Sequence, residues 1–361
     1  RRRVPHPAAP ARPVSGSDSR PPASGEGADT LQRFLLRGAP VRGEVVSLDA
    51  AWREVADRHA FPRSVRDRLG ELCAAGLLLS ASLKFDGALV LQIHGDGPVS
   101  LLVVECEADG SFRATAKLRE GETCPEEADL ATLVNAHGRG RFVVTLDPRT
   151  DTPHRQPYQG IVPFEGRTVA EVLERYMARS EQVPTRLWLA ADDARATGLL
   201  LQRLPEEGGH APAWAPGPAD DGTGPGSIVV ARDADPAGEG SGGGDPPDDD
   251  GWNRMQHLAD TVTRDELLAL PPDAVLRRLF WQEPLHAFDA RAPRFACTCS
   301  RGKVGAMLRM LGRAEIESIL AEQGHVGVRC EFCNTPYEFD AVDGAALFLS
   351  EPPAPGSTAR H

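Results

Sequence analysis

Four of the seven cysteines in this chain lie in two tight pairs near its C-terminal end, and their spacing limits what that region can fold into. The first pair is Cys297-x-Cys299, thirty residues follow, and the second pair is Cys330-x-x-Cys333. Residues two apart on an extended chain point to the same side, so both sulfurs of the first pair can face one ion. A C-x-x-C turn brings two thiolates to a metal in zinc knuckles. The spacing therefore predicts one tetrahedral zinc site, closed by four thiolates and without a position for a hydrolytic water.

The residues between the pairs predict two short helices and a strand. The apolar positions at helical spacing are Val304, Met307, Leu308, Leu311, Ile316, Ile319 and Leu320. Val326, Val328 and Cys330 alternate as in a strand. So short a segment has little core of its own, and zinc binding contributes roughly 10–16 kcal/mol in comparable peptides. We therefore expect the metal to supply much of the segment's stability.

The same thiolates suit either a permanent structural staple or a redox switch. Spacing alone favours a structural zinc ribbon. However, metal-bound sulfurs are deprotonated and react with oxidants once accessible, and a disulfide within either pair would eject the metal. The other cysteines, Cys73, Cys106 and Cys124, are expected to be two buried thiols and one loop residue without a metal. His325 is not expected to be a ligand, because four cysteines complete the site.

The net charge of −12 is concentrated in one segment. Residues 205–251 hold eleven acidic residues and one arginine, a net charge of −10, together with twelve glycines and eight prolines. This composition predicts an acidic, flexible insert that has no core. The remainder carries only −2, so the sequence offers no basic surface for nucleic acid. The longest apolar stretch is far shorter than the roughly 20 residues of a membrane span.

The N-terminal tail, residues 1–30, contains six prolines and five arginines and is predicted to be disordered. No apolar run follows its basic start, so no signal peptide is expected, and a remnant of an organelle transit peptide is the alternative. Paired cysteines without a secretion signal favour metal binding in a reducing compartment, and we expect the cytoplasm.

Residues 31–204 predict an α+β domain built on antiparallel strands. The expected helices are 31–36, 49–59, 64–83, 126–136 and 168–180, of which 64–83 is apolar enough to be a central buried helix. The expected strands are 41–48, 88–94, 99–106, 111–118, 142–146, 160–164, 186–190 and 198–203. The dipeptides Asp86-Gly87, Asp96-Gly97 and Asp109-Gly110 predict an antiparallel meander, because Asp-Gly supplies the positive φ of tight turns.

Residues 252–293 predict a helical linker. Thr263 and Glu266 form a capping box, Pro271 ends that helix, and Pro272 can begin the next. The apolar faces of these short helices are expected to rest on the N-terminal domain. A small C-terminal zinc-binding domain is expected at 294–350, followed by a disordered tail at 351–361.

Five stretches, in order along the chain, resemble the 33-kilodalton heat-shock protein family of redox-regulated holdase chaperones. They are PVRGEVV (40–46), LKFDGALVLQIHGDGP (83–98), RSEQVPTRLWLA (179–190), CTCSR (297–301) and AEQGHVGVRCEFCNTPYEF (321–339). The resemblance implies a chaperone rather than an enzyme, with no catalytic residues. It implies that the N-terminal domain binds substrate and mediates dimerisation, that the linker is metastable, and that one Zn²⁺ on the four cysteines holds an inactive reduced form.

On the same resemblance, oxidation forms the disulfides Cys297–Cys299 and Cys330–Cys333, releases zinc and unfolds the linker. The oxidised homodimer then binds unfolded clients. The acidic insert lies where the N-terminal domain meets the linker, and we expect its charge to keep this activated form in solution.

Two other functions use the same cysteines. A zinc-ribbon adaptor for nucleic acid is opposed by the charge of residues 295–343, which hold five basic and seven acidic side chains. A C-x-x-C thiol–disulfide oxidoreductase is opposed by the lack of a thioredoxin-like βαβ pattern around the second pair.

Overall fold

The computed structural model describes residues 28–83, 87–148, 157–204 and 249–349. The strands are β1 Thr30–Leu36, β2 Val41–Leu48, β3 Gly87–His94, β4 Val99–Glu107, β5 Ser111–Leu118, β6 Arg141–Pro148, β7 Tyr158–Pro163, β8 Thr185–Ala191, β9 Ala196–Arg203, β10 Leu285–Ala287, β11 Arg294–Phe295, β12 Val326–Arg329 and β13 Pro336–Phe339. The helices are α1 Ala50–Ala56, α2 Arg63–Ala81, α3 Leu130–Val134, α4 Val169–Arg179, α5 Asp249–Ala259, α6 Arg264–Ala269, α7 Pro272–Phe280, α8 Arg301–Leu311, α9 Arg313–Gln323 and α10 Ala341–Leu349.

Helix α2 packs against both large sheets and is buried along most of its length, as its apolar sequence predicts. One sheet has the strand order β10-β1-β2-β9-β8, and the other has β11-β5-β4-β3-β6-β7. Both sheets contribute to one hydrophobic core around α2, which includes Trp52, Leu72 and Phe142. We call strands β1–β9 with helices α1–α4 the two-sheet unit. The α+β class predicted from the sequence is confirmed.

The predicted meander is confirmed, and one of the two Asp-Gly turns that the structure describes has the expected conformation. Strand β4 pairs antiparallel with β3 on one side and with β5 on the other. Gly110 has φ +82° between β4 and β5, the left-handed conformation that Asp-Gly was expected to supply. Gly97 is not among the positive-φ glycines, and Asp86 lies outside the described residues.

The helix predicted at residues 31–36 is wrong: this segment is strand β1. It pairs antiparallel with β2 on one side and with β10 on the other. Phe34 lies directly opposite Gly43, where an added Cβ would come within 2.1 Å of the Phe34 ring. The missing side chain at Gly43 therefore leaves room for that ring, and long-range strand pairing overrides a local helical spacing.

Several predicted boundaries move. Asp29, placed in the N-terminal tail, accepts hydrogen bonds from the backbone N–H groups of Asp49 and Ala51, and Thr30 already belongs to β1. The acidic insert was predicted to reach residue 251, but helix α5 begins at Asp249. The helix predicted at 126–136 is shortened to α3. The predicted tails and insert otherwise lie outside the described residues.

Helices α5–α7, which we call the linker helices, cover one face of the five-stranded sheet. The predicted capping box of Thr263 and Glu266 and the N-terminal position of Pro272 in α7 are both present. The buried linker side chains are Trp252, Met255, Ala259, Leu267, Val275, Leu276, Leu279 and Phe280, and they meet Phe34, Leu36, Val41, Val45, Ala190, Leu199 and Leu201 of the sheet. This sheet is consequently buried on both faces, by α2 and by the linker helices.

Candidate metal centre

The first cysteine pair is positioned by the edge of the six-stranded sheet. Strand β11 pairs in parallel with β5, and Ala296 donates its backbone N–H to the carbonyl of Phe112 at 2.9 Å. The chain therefore leaves the sheet edge at Cys297 and passes through Cys299. Ser300 then caps α8 by accepting from the backbone N–H of Lys303.

The second pair lies in the turn that connects β12 to β13. These two strands pair antiparallel, as the alternation of Val326 and Val328 predicted for the first of them. Within the turn, the Cys330 N–H donates to the Thr335 carbonyl at 3.0 Å, and the Asn334 N–H donates to the Cys330 carbonyl at 2.8 Å. Asn334 has φ +59°, a left-handed conformation that asparagine tolerates better than most residues. The tight turn brings both sulfurs to the same side.

The structure brings all four predicted cysteines together. Their sulfur atoms lie within 4.8 Å of one another. Cys297 Sγ is 3.6 Å from Cys330 Sγ, and Cys299 Sγ is 3.3 Å from Cys333 Sγ. Tetrahedral zinc with Zn–S bonds of about 2.3 Å requires sulfurs roughly 3.8 Å apart. Donor chemistry and spacing therefore fit one zinc ion.

The surroundings shift the pKa of Cys297, Cys299 and Cys333 in different directions. Burial raises the pKa of Cys297 to about 12 and also raises the pKa of Cys299. Burial acts in the same direction on Cys333, but hydrogen bonds from the Thr335 hydroxyl and backbone outweigh it and lower the pKa of that thiol to about 6. The Tyr337 hydroxyl donates to Cys299 Sγ at 3.1 Å. Cys333 therefore favours the thiolate at neutral pH, and a bound divalent cation would favour this form at all four positions.

The core beneath the site is small, as expected. Its fully buried apolar residues are Leu308, Ile316, Val326 and Phe339. The Arg301 guanidinium stacks on the Phe339 ring at 4.2 Å and pairs with Asp343 at 2.6 Å. Four buried side chains bury little apolar area, so a metal cross-link between β11, α8 and the β12–β13 turn would add a large share of the stability.

The remaining cysteines and His325 lie where the sequence places them. Cys73 and Cys106 are fully buried in α2 and β4, and burial raises the pKa of both thiols far above the ordinary value. Cys124 is a half-buried loop residue. The exposed His325 ring contacts the Gln323 carbonyl, and it does not belong to the sulfur cluster.

Sequence reasoning missed the polar groups that surround the sulfurs. Thr335 and Tyr337 are close to the second pair in sequence, so a search for hydroxyls beside the C-x-x-C motif could have found them. Arg58 and Arg113 come from the two-sheet unit, more than 180 residues before the first pair. Cysteine spacing contains no signal for them. Over the described ranges, every helix is too short or too polar to cross a membrane.

Comparisons with known proteins agree along most of the chain. A family model described as Hsp33 protein matches residues 29–340. A 33 kDa chaperonin from Methylobacillus flagellatus is 43% identical over 334 residues, which cover 92% of this chain and 99% of the relative. Another, from Chromobacterium violaceum, is 42% identical over 333 residues, with 92% and 98% covered.

Among solved structures, the 33 kDa chaperonin (heat shock protein 33 homolog) from Thermotoga maritima matches with a TM-score of 0.64. The match covers 88% of this chain and 97% of that one at 20% identity. At this identity the structural likeness supports the fold alone.

Proposed function

This chain belongs to the Hsp33 family, and from that premise we propose that it is a redox-regulated, ATP-independent holdase for unfolding proteins. In the proposed cycle, the reduced form holds one Zn²⁺ on Cys297, Cys299, Cys330 and Cys333 and is inactive. Oxidation converts the four thiols to two disulfides, releases the metal and frees the linker helices.

The observation that carries the proposal is that the linker helices cover an apolar sheet face and come just before the cysteine site along the chain. They cover Phe34, Val41 and Leu199 among others. Only sixteen residues separate the end of α7 at Phe280 from Cys297. Loss of order around the cysteines would therefore remove the β10 and β11 pairings that hold the end of this linker. Release of the helices would expose both their own apolar side and the sheet beneath it, a surface suited to unfolded chains.

The chemistry requires an oxidant and a rearrangement. One molecule of hydrogen peroxide oxidises two thiols to a disulfide and is itself reduced to two molecules of water. The family resemblance implies pairing within Cys297–Cys299 and within Cys330–Cys333. The 3.6 Å and 3.3 Å separations instead join sulfurs from different pairs. All four sulfurs lie within 4.8 Å of one another, so the partners within each motif are also close together. Loss of the metal that joins the two motifs would then link oxidation to local unfolding.

The partners in this proposal are unfolded or partly folded client proteins and a second copy of the chain. The oxidised protein would dimerise through the two-sheet unit. A reducing compartment such as the cytoplasm would keep the cysteines metal-bound until oxidative stress. The C-x-x-C oxidoreductase alternative is disfavoured because Cys333 is only 8% exposed and lies against the two-sheet unit.

The experiment follows zinc, thiols and holdase activity in one sample. Peroxide with mild heat should release one equivalent of zinc, consume four thiols and confer suppression of client aggregation. Mass spectrometry should place both disulfides within the two motifs. Cys124→Ser serves as a matched control, because Cys124 is outside the cluster, and it should behave as the unmodified chain does. Equal suppression by the reduced, zinc-loaded protein would refute the switch.

A further inference from the structure

Arg113 connects the two-sheet unit to both cysteine motifs. It lies on β5, and its guanidinium pairs with Glu105 on β4 at 2.7 Å. The same guanidinium stacks on the ring of Phe332 at 4.3 Å, and Phe332 lies between the two cysteines of the second motif. The pairing of β11 with β5 places the first motif beside Arg113, since Ala296 donates its backbone N–H to the carbonyl of the neighbouring Phe112 at 2.9 Å. Arg113 thus contacts the second motif directly and lies beside the start of the first.

Arg58 makes a second bridge of the same kind. It follows α1 and stacks on Phe295, two residues before the first motif, at 4.5 Å. Its Nη1 donates to the carbonyl of Cys333 at 3.4 Å. Asn334 returns a hydrogen bond to the Arg58 carbonyl at 3.3 Å, and His59 Nε2 lies 3.3 Å from the Phe332 carbonyl. The turn of the second motif is therefore seated on the two-sheet unit through side chain and backbone.

The charge of these groups matches the chemistry of the site. Four thiolates around one divalent cation carry a net charge of −2, which the small cysteine-bearing core cannot bury alone. A guanidinium held in place by Glu105 is a fixed cation beside that charge, with an exposed side-chain fraction of 19%. Partial burial lowers the effective dielectric constant and strengthens the attraction. A neighbouring cation also makes a thiolate less reactive towards an electrophilic oxidant, because electron density is held on sulfur.

We propose that the two-sheet unit completes the metal centre: Arg113 and Arg58 clamp the two cysteine motifs together, strengthen metal retention and slow oxidation. The inference rests on the metal site of the proposed function. It adds that the oxidation threshold is set outside the cysteine-bearing segment, by residues of the two-sheet unit. Undocking that segment would then make its sulfurs easier to oxidise before any disulfide has formed.

The test uses the full-length, reduced, zinc-loaded chain without any client protein. Arg113→Gln removes the charge and keeps most of the stem, whereas Arg113→Lys keeps the charge and loses the flat stacking group. Lys117→Ala is the matched control, since Lys117 is also a β5 cation facing the second motif. In its ion pair with Glu331, at 3.9 Å, the two side chains are 64% and 68% exposed. Zinc affinity is measured by chelator competition, and zinc release under peroxide by a chromogenic chelator.

Loss of a group that supports metal ligands typically weakens metal binding 10-fold to 100-fold. We expect Arg113→Gln to weaken zinc affinity and to speed peroxide-driven release by roughly tenfold. Arg113→Lys should restore most of that loss, and Lys117→Ala should stay within about twofold of the unmodified chain, as exposed ion pairs contribute little.

Unchanged affinity and release in Arg113→Gln would overturn the proposal, as would equal effects of the glutamine and lysine variants. If Arg113→Gln does not fold, Phe332→Leu removes the stacking partner from the other side and must also speed release. These readouts contain no chaperone assay. Failure of the holdase function would therefore appear in the client experiment alone, and failure of the clamp would appear here alone.

Discussion

Truncation of Phe280 tests whether the linker helices are what holds the chain inactive. Phe280 ends α7, is 2% exposed, and packs beside Phe34 of β1 with ring centroids 6.0 Å apart. Phe280→Ala removes a ring from the interface between the linker helices and the five-stranded sheet. It leaves the cysteines and the two-sheet core intact.

The free-energy cost of Phe280→Ala follows from the burial of the ring. A Phe→Ala change at a fully buried site costs about 3–5 kcal/mol. Because this ring lies between two elements, most of that cost falls on the docked state of the linker helices. A loss of about 3 kcal/mol raises the ratio of released to docked linker by roughly two orders of magnitude. The reduced, zinc-loaded variant should therefore expose the sheet face without any oxidant.

Hydrogen exchange measures release of the linker helices, and a client aggregation assay measures whether the exposed surface binds clients. Amides of α5–α7 should exchange much faster in Phe280→Ala, and the reduced variant should suppress client aggregation at temperatures where the unmodified reduced chain does not. Phe142→Ala is the matched control, since Phe142 is equally buried but lies in the core around α2, against Tyr176. Fast exchange in α5–α7 without any holdase activity would refute the idea that linker coverage blocks client binding.

Two further predictions concern charge. Burial raises the pKa of Glu71 to about 7, against 4.5 for its ordinary value, so the folded chain binds more protons than the unfolded chain between these values. The free energy of unfolding should therefore fall as pH rises from about 4.5 to 7, by at most ~1.4 kcal/mol per pH unit. Urea titrations at several pH values should show a flatter slope for Glu71→Gln. An unchanged slope would contradict the assignment of this pH dependence to Glu71. Deletion of residues 206–248, which removes nine acids and one arginine and stops before α5, should increase self-aggregation after oxidation, measured by light scattering. Unchanged scattering would refute that role for the insert.

Some elements of the fold could be predicted from local sequence pattern, and others could not. Helical spacing of apolar residues predicted α2, Asp-Gly turn signals predicted the meander, and a capping box with prolines predicted the linker helices, because each of these signals is local in the sequence. Residues 31–36 have the spacing of a helix but form β1, since β1 pairs with β2 along most of its length and with β10 at its C-terminal end. Strand β11 has only two residues, which is too short for any periodicity, so the sequence could not predict its pairing with β5.

The sequence by itself predicted one site of four cysteine sulfurs, because the C-x-C and C-x-x-C motifs fix the direction of the sulfurs within each pair locally. It also determined that this segment has too little core to be stable alone. Only the tertiary structure decided what surrounds the sulfurs. Arg58 and Arg113 reach them from the two-sheet unit through contacts across more than 180 residues of chain, and the linker helices cover an apolar sheet face that no local pattern identifies. Such contacts depend on how separate elements dock, and docking is set by the shape of the whole fold.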